Sequence, residues 1–325
     1  MILGLARAPG RLVLASAIVL VGAVLLAVSH RDRARDVWQA VARLPVPALG
    51  GALLLVLAQF GCQASRLWAL VPWSVGLTWR RAARAFAVGE WTNIVAPARA
   101  GDALKVVLLA RATEGAQPIG LPAATGAILA DKVVDAGSFV VVSAAAAAWT
   151  GLAAQLLRTP LPGPATVLLA CLVGALVLWG IRLTASASFE RLTYWRHELA
   201  RALAVLTTPR HLLPSAAASL GAWMAETLAL RILTSALGFP VPLAHIVLAL
   251  ALLNLGTSVP VTLGNLGVYE GVLALGLSRV GVPAAVAVAI ATAHHALELL
   301  ATNLGAATLS LALARPRPPA RCLSD

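Results

Sequence analysis

Long apolar segments alternate with short polar stretches along most of the chain. A membrane-spanning helix needs about 20 apolar residues, and six segments are long enough. These segments are residues 12–29, 48–71, 121–149, 164–183, 213–237 and 284–313. Two other apolar regions, 85–112 and 243–280, are interrupted by proline, glycine and polar residues. Their halves are of a length that suits re-entrant or broken helices better than full spans. The pattern predicts an all-α polytopic membrane protein with about six full spans and two re-entrant hairpins.

The order of the segments (span, span, hairpin, span) occurs twice. The predicted organisation is a single membrane domain over 1–325, made of a first repeat at 10–160, a second repeat at 161–314 and an Arg/Pro tail at 315–325. The first hairpin then enters from the cytoplasm and the second from outside, which is an inverted repeat as found in many transporters. The alternative is eight full spans, in which 243–259 and 266–280 both cross the membrane.

The two halves place polar residues at matching intervals from the hairpin prolines. Pro97 and Pro260 are each followed by glycine after four residues. After 34 and 38 residues come two further polar pairs, Asp131 and Asp135 in the first half and His294 and Glu298 in the second. Polar residues one helical turn apart thus recur in the helix after each hairpin, which favours an internal repeat.

Composition excludes a soluble enzyme. Of the 325 residues, 60% are hydrophobic and 12% are charged, with a mean hydropathy of +0.86, whereas soluble domains are about half apolar and a quarter charged. The net charge of +12 does not indicate a nucleic-acid partner, because the basic residues lie mostly at the ends of apolar runs, as the positive-inside rule requires.

The arginines orient the chain. Both termini are predicted to be cytoplasmic from the basic residues near them, namely Arg7, Arg11, Arg315, Arg317 and Arg321. The segment 30–46 is discordant, since it is expected outside yet carries four arginines. We interpret it as an interfacial amphipathic segment.

The first hairpin carries residues that a membrane interior tolerates only for a reason. They are Asn93, Pro97, Arg99, Gly101, Asp102 and Lys105. Proline and glycine break the helix and free backbone groups. Arg99 can form a fork to a phosphate, with Lys105 as a second positive charge. The alternative is that Arg99 pairs with Asp102 and only holds the hairpin together.

The second hairpin has a similar helix-breaking set. Pro260, Gly264 and Gly267 interrupt the apolar run, and Glu270 follows at a helix start. Glu270 is a candidate proton or cation site, or a partner for Arg99 across a cavity. The alternative is that it only stabilises the positive end of its helix.

The helices after the hairpins carry further candidates. Asp131 and Asp135 share a helix face and either pair with Arg99 or Lys105, or form a polar network at the cytoplasmic boundary. His294 and Glu298 also share a face, which suggests a polar helix contact or a proton relay.

Two other helices also carry charges. Arg66, near the inner end of its span, either faces the cavity or extends its guanidinium to the membrane surface. One of Glu226 and Arg231 is expected to face the cavity.

Motifs for catalysis or for a bound group are lacking. The sequence has no G-x-S-x-G, P-loop, C-x-x-C or H-E-x-x-H pattern. Two or three ligands on the helix of His294 are insufficient for a metal site. We therefore expect no enzymatic activity, no cofactor and no metal.

The polar motifs, taken together, resemble those of the lysylphosphatidylglycerol synthase transmembrane family, also called flippase-like domain proteins. The first hairpin is similar to the family's N-x-x-x-P-x-R-x-G-E/D stretch, with Asp102 at the last position. Asp131-Lys132-Val-Val-Asp135 resembles its E-R-x-x-D motif, and the run from Pro260 to Glu270 resembles its P-x-x-x-G-x-x-G-V-x-E motif. The resemblance covers roughly residues 10–312.

This resemblance implies a multi-pass protein of the bacterial cytoplasmic membrane that binds and moves an anionic lipid, either a phospholipid or a polyprenyl-phosphate glycolipid. Longer relatives also have a soluble aminoacyltransferase domain, which we do not expect here. The alternative is an accessory subunit that presents lipid to a separate glycosyl- or aminoacyltransferase. The oligomeric state is left open.

Overall fold

A computed structural model describes residues 31–71, 76–96, 99–111, 119–152, 203–258 and 262–314. Its helices are α1 (Arg31–Ala42), α2 (Val46–Ala69), α3 (Trp79–Val95), α4 (Ala100–Ala110), α5 (Leu121–Trp149), α6 (Pro209–Ala236), α7 (Leu243–Thr257), α8 (Val268–Ser278) and α9 (Ala284–Ala314). Several predictions fall outside the described residues: the spans 12–29 and 164–183, Pro97, Pro260 and the tail 315–325.

Four of the described helices are long. α2, α6 and α9 are long and apolar enough to cross a membrane. α5 has 29 residues, or about 43 Å at 1.5 Å per residue, and its bounds are those predicted from the apolar pattern. These helices confirm the predicted class, an all-α polytopic membrane protein.

The two interrupted regions each fold as a pair of short helices. α3 and α4 have 17 and 11 residues, and α7 and α8 have 15 and 11. At 1.5 Å per residue the longest of these is about 26 Å, less than the roughly 30 Å hydrocarbon core of a bilayer. These lengths agree with two broken-helix hairpins rather than with the alternative of eight full spans, in which both halves of 243–280 cross the membrane. The first hairpin begins earlier than predicted, at Trp79.

Small residues let the helices of each hairpin approach closely, as in other membrane helix pairs. A Cβ atom on Gly101 would lie 1.9 Å from the carbonyl oxygen of Gly89, so α3 and α4 could not pack as they do with alanine there. In the second hairpin, a Cβ atom on Gly256 would lie 2.8 Å from Val272. Both hairpins thus depend on glycine at their helix crossings.

The apolar side chains form two main cores that share α2. One core joins α2 to α6, α7, α8 and α9 around Leu230, Leu250 and Ile290. The other joins the second half of α2 to α3, α4 and α5 around Leu67 and Leu109. Residues 31–42 of the predicted interfacial segment form α1, which packs on α9.

Corresponding helices of the two halves begin at nearly equal intervals. The same interval of 163 residues separates Val46 from Pro209 and Leu121 from Ala284, which begin α2, α6, α5 and α9. Pro97 and Pro260 are separated by that interval too. These spacings support the internal repeat, and we retain its boundaries near residue 160 as a proposal.

Candidate functional site

A polar cavity of about 440 Å³ lies between the helices of the two main cores. Its lining comes from α2, α3, α5, α6, α7, α8, α9 and both hairpin turns. The ionisable residues of the lining are Arg66, Glu90, Arg99, Asp131, Lys132, Asp135, Glu226, Tyr269, His295 and Glu298. The volume is within the range of about 300–1,000 Å³ that is usual for ligand pockets.

The tips of the two hairpins meet at this cavity. Arg99 Nη2 donates a hydrogen bond of 3.2 Å to the carbonyl oxygen of Thr257, at the end of α7. In the other direction, a Cβ atom on Gly264 would lie 3.2 Å from Ile94 at the end of α3. The cavity is therefore bounded where both broken helices end.

The backbone at these tips is left-handed. Arg99 has φ +51° and Asn265 has φ +56°, a conformation that costs about 1–3 kcal/mol for a residue other than glycine. Arg99 directly precedes α4. Folding thus places a strained, positively charged residue at the hairpin turn.

Arg99 is exposed and, among the described residues, it forms no salt bridge within 4 Å. The Arg99–Asp102 pair that the spacing left open is absent. Asp102 instead contacts Lys105 at 2.9 Å and Lys132 at 3.6 Å. The Lys132 side chain is 40% exposed, so Arg99 and Lys132 are the cations most accessible to a ligand in the cavity.

Lys105 lies in a different environment from the one that the sequence suggested. Its side chain is only 2% exposed and does not line the cavity. The ammonium contacts the carboxylates of Glu90 and Asp102 and lies 5.1 Å from the centre of the Phe86 ring. Lys105 therefore joins α4 to α3.

Asn93 contributes both to the cavity wall and to the hairpin. Its side-chain oxygen accepts a 2.9 Å hydrogen bond from the backbone N–H of Gly101, in the first turn of α4. Its amide donates to Glu90 at 3.3 Å. Asn93 thus satisfies a free N–H at a helix start while it lines the cavity.

Arg66 is the second buried cation. It is 3% exposed, which excludes an extended side chain that reaches the membrane surface. Its Nε donates to Asp131 at 2.7 Å, and Nη1 contacts Asp135 and donates to Ser219 at 3.1 Å. Arg66, rather than Arg99 or Lys105, is thus the partner of the two aspartates, and it links α2 to α5 and α6.

Glu270 lies beside the cavity rather than in its lining. It accepts a 2.7 Å hydrogen bond from the N–H of Gly267, at the start of α8, and contacts Nδ1 of His295 at 2.7 Å. Tyr269 stacks on the ring of His295 at 4.1 Å and bonds Nδ1 of His294 at 2.7 Å. Glu270 therefore stabilises its own helix start and positions His295, and it does not pair with Arg99.

Of the predicted pair on α9, Glu298 lines the cavity and His294 does not. Of the two charges on α6, Glu226 lines it, whereas Arg231 donates to the carbonyl of Val241. Sequence reasoning missed several lining residues, namely Gln59, Gln63, Glu90, Asn254 and Tyr269. A signal existed for the glutamines, because Gln59, Gln63 and Arg66 recur at helical spacing in an otherwise apolar span.

The cavity is more acidic than basic. Three basic side chains line it, against five carboxylates. Within the described ranges, no group of three or more His, Cys, Asp or Glu side chains is arranged to hold a metal ion. The site is thus a charged, oxygen-rich cavity with two accessible cations on one side.

Fold and site define an all-helical, multi-pass membrane protein with a charged cavity between two broken-helix hairpins. The chain belongs to the family described as the lysylphosphatidylglycerol synthase TM region, whose sequence model matches residues 12–305. The family connects the chain with lipid handling in a membrane. Neither the curated proteins nor the solved structures contained a significant match.

Proposed function

We propose that the protein binds the phosphate of an anionic lipid with Arg99 and Lys132 and carries the headgroup across the membrane through the cavity. The observation that carries the proposal is Arg99, which lines a polar cavity at the meeting point of two broken helices. Among the described residues it has no carboxylate within 4 Å. A guanidinium presents a planar set of donors that matches a phosphate. Candidate substrates are phospholipids and polyprenyl-phosphate glycolipids.

The salt bridges of the basic residues support Arg99 as a phosphate ligand, but they replace the second ligand expected from the sequence, Lys105, by another lysine. Lys105 and Arg66 each contact two carboxylates and are buried, so their charges are already compensated. Lys132, whose salt bridge within the described ranges is 3.6 Å long, replaces Lys105 as the second phosphate ligand. Asn93 and Thr262, which also line the cavity, supply uncharged polar groups for the rest of the headgroup.

The contact between the hairpin tips supports movement rather than static binding. Arg99 reaches the second hairpin through one hydrogen bond to a carbonyl, which a phosphate would outcompete because bonds to charged acceptors are stronger. A bound headgroup would therefore release α7 from Arg99. The apolar side chains exposed on the outer helix faces, such as Leu54 and Val141, leave the acyl chains in the bilayer.

For the location we propose the cytoplasmic membrane of a bacterium, with both chain termini in the cytoplasm. The arginine distribution supports this orientation, since Arg80, Arg81 and Arg84 cluster at the start of α3.

The test is transport of fluorescently labelled phosphatidylglycerol in vesicles of phosphatidylcholine and phosphatidylglycerol that contain the purified protein. A membrane-impermeant quencher reports the leaflet of the label. Arg99→Ala removes a charge-assisted bond worth about 1.5–3 kcal/mol, so transport should fall about tenfold or more. Arg279→Ala is the matched control, because Arg279 is exposed and outside the lining.

Equal transport by Arg99→Ala and wild type, both folded, would refute the proposal. Lipid that co-purifies in native mass spectrometry, together with no transport by the wild type, would instead favour the accessory subunit that presents lipid to a transferase.

A further inference from the structure

The wall of the cavity formed by α2, α6 and α9 carries a second polar group that lipid binding does not use. Glu226 of α6, Glu298 of α9 and Gln59 of α2 line it. Gln59 lies against the Glu298 carboxyl, and the two carboxyls are close enough to repel one another. We refer to Glu226 and Glu298 as the carboxyl pair, and Gln59 lies beside it.

Two oxygen atoms of this group lack a hydrogen-bond donor among the residues that the structure describes. Gln59 is 5% exposed, and its side-chain oxygen is buried without a hydrogen-bond partner. Oε1 of Glu298 is likewise buried and without a partner. Buried acceptors without donors are unfavourable and rare. A proton on one carboxyl would convert it from an acceptor into a donor for its neighbours.

In the part of the chain that the structure describes, neither carboxyl of the pair forms a salt bridge within 4 Å. The nearest cation on α2, Arg66, is held by Asp131 and Asp135, and Lys105 is held by Glu90 and Asp102. The other titratable groups that line the cavity with the pair are Arg66 of α2, Glu90 of α3, Arg99 at the first hairpin turn, Asp131, Lys132 and Asp135 of α5, Tyr269 of α8 and His295 of α9. Glu90 and Asp135 add negative charge near the pair, which favours the uptake of a positive charge.

We propose that Glu226 and Glu298, assisted by Gln59, form a proton site whose occupancy is coupled to the lipid headgroup at Arg99 and Lys132. In this step a carboxylate oxygen takes a proton from hydronium: one O–H bond of hydronium breaks, one O–H bond of the carboxyl forms, and a water molecule is released without redox change. The proposal rests on the proposed function, because it names the ion that accompanies the anionic lipid.

The charge balance of the cavity gives the sign of the coupling. Carboxylates exceed basic groups by two among the lining residues, so an anion enters an already acidic space. A proton on the pair removes one negative charge and thereby favours the headgroup. By reciprocity, the headgroup must favour the proton to the same extent. Lipid should therefore bind more tightly as the pH falls.

The test is the affinity of the full-length protein in detergent for a short-chain phosphatidylglycerol, measured by calorimetry from pH 5 to 8. Linkage of one full proton changes the Kd by about tenfold per pH unit. We expect the wild type to bind at least tenfold more tightly at pH 6 than at pH 8. Repeating the titration in two buffers with different ionisation enthalpies counts the protons taken up, and a value near one is expected.

Glutamine imitates a protonated carboxyl, so E298Q and E226Q should each weaken the pH dependence and bind tightly even at pH 8. Asp36→Asn is the matched control, because Asp36 is exposed on α1 outside the lining, and it should retain the wild-type pH dependence. Two separate variants and a proton count on the unmodified protein keep the test valid if one variant fails to fold.

Two results can be told apart. Lipid binding without proton uptake, or with an unchanged pH dependence in both glutamine variants, overturns the proton site alone. Absence of lipid binding at every pH overturns the proposed function and the proton site with it.

Discussion

The replacement of Lys105 by methionine tests whether this lysine stabilises the fold or binds the lipid. Lys105 is 2% exposed and contacts Glu90 and Asp102, the latter at 2.9 Å. Methionine keeps most of the volume but leaves two carboxylates without their cation. Removal of one partner from a buried ion pair costs about 3–5 kcal/mol. We therefore expect Lys105→Met to lower the free energy of unfolding by that amount.

Lys132 provides the matched comparison. Its side chain is 40% exposed, and its contact with Asp102 is 3.6 Å long, so the loss of this surface-type pair should cost at most about 1 kcal/mol. The effects on lipid affinity should be reversed. Lys132→Met should weaken binding of phosphatidylglycerol, whereas the folded fraction of Lys105→Met should bind it nearly as the wild type does.

The assays are denaturant unfolding in detergent micelles, followed by tryptophan fluorescence, and calorimetric binding of phosphatidylglycerol to each folded variant. A Lys105→Met protein as stable as the wild type that has lost its lipid affinity would refute the structural role. A triple variant that also carries Glu90→Gln and Asp102→Asn should regain stability relative to Lys105→Met, because no carboxylate then lacks a cation.

Three further outcomes are expected. Gly101→Ala should destabilise the first hairpin by about 1–3 kcal/mol, because the new Cβ atom would lie 1.9 Å from a carbonyl oxygen of α3. Gly137→Ala is the control: a Cβ atom there would have no atom within 4 Å, so this variant should be as stable as the wild type in the same unfolding assay. Arg66→Met should lower the free energy of unfolding by about 3–5 kcal/mol, because Asp131 and Asp135 then lose the cation that they contact. An unchanged denaturation curve would contradict this. Glu270→Gln should cost about 1 kcal/mol through a weaker helix start and leave the affinity of phosphatidylglycerol within twofold in calorimetry.

The fold could be predicted in large part from hydrophobicity because a bilayer imposes the length of its helices. The apolar run 121–149 became α5 with the same bounds, and 48–71 became α2 with ends two residues earlier. Short halves in 243–280 correctly indicated broken helices. The start of α3 at Trp79 was missed because its first turns, with three arginines, do not read as apolar.

Of the residues that line the cavity, the sequence predicted mainly those that carry a charge within an apolar segment. Arg99, Asp131 and Glu298 stand out in the sequence for that reason and line the cavity. Their partners were not predictable, because Arg66 and Asp131 are 65 residues apart and no local pattern joins them. Gln59 was not predicted because it carries no charge, although its helical spacing with Gln63 and Arg66 was a signal, and its side-chain oxygen is buried without a donor among the described residues.

Pairing, rather than net charge, distinguishes ligand-binding from structural residues in this protein. The overall charge of +12 would suggest an anion site wherever cations cluster, yet the cavity has more carboxylates than basic groups. Arg66 and Lys105 each satisfy two carboxylates, and their contribution is to hold helices together. Within the described residues, the hydrogen bond of Arg99 goes to a neutral carbonyl, and Glu298 has an oxygen without a donor. Arg99 and Glu298, which have no salt bridge to another described residue, lie on different walls of one cavity. An anion and a proton can therefore bind together without neutralising each other directly. That arrangement is the physical reason to expect the two ligands to be coupled.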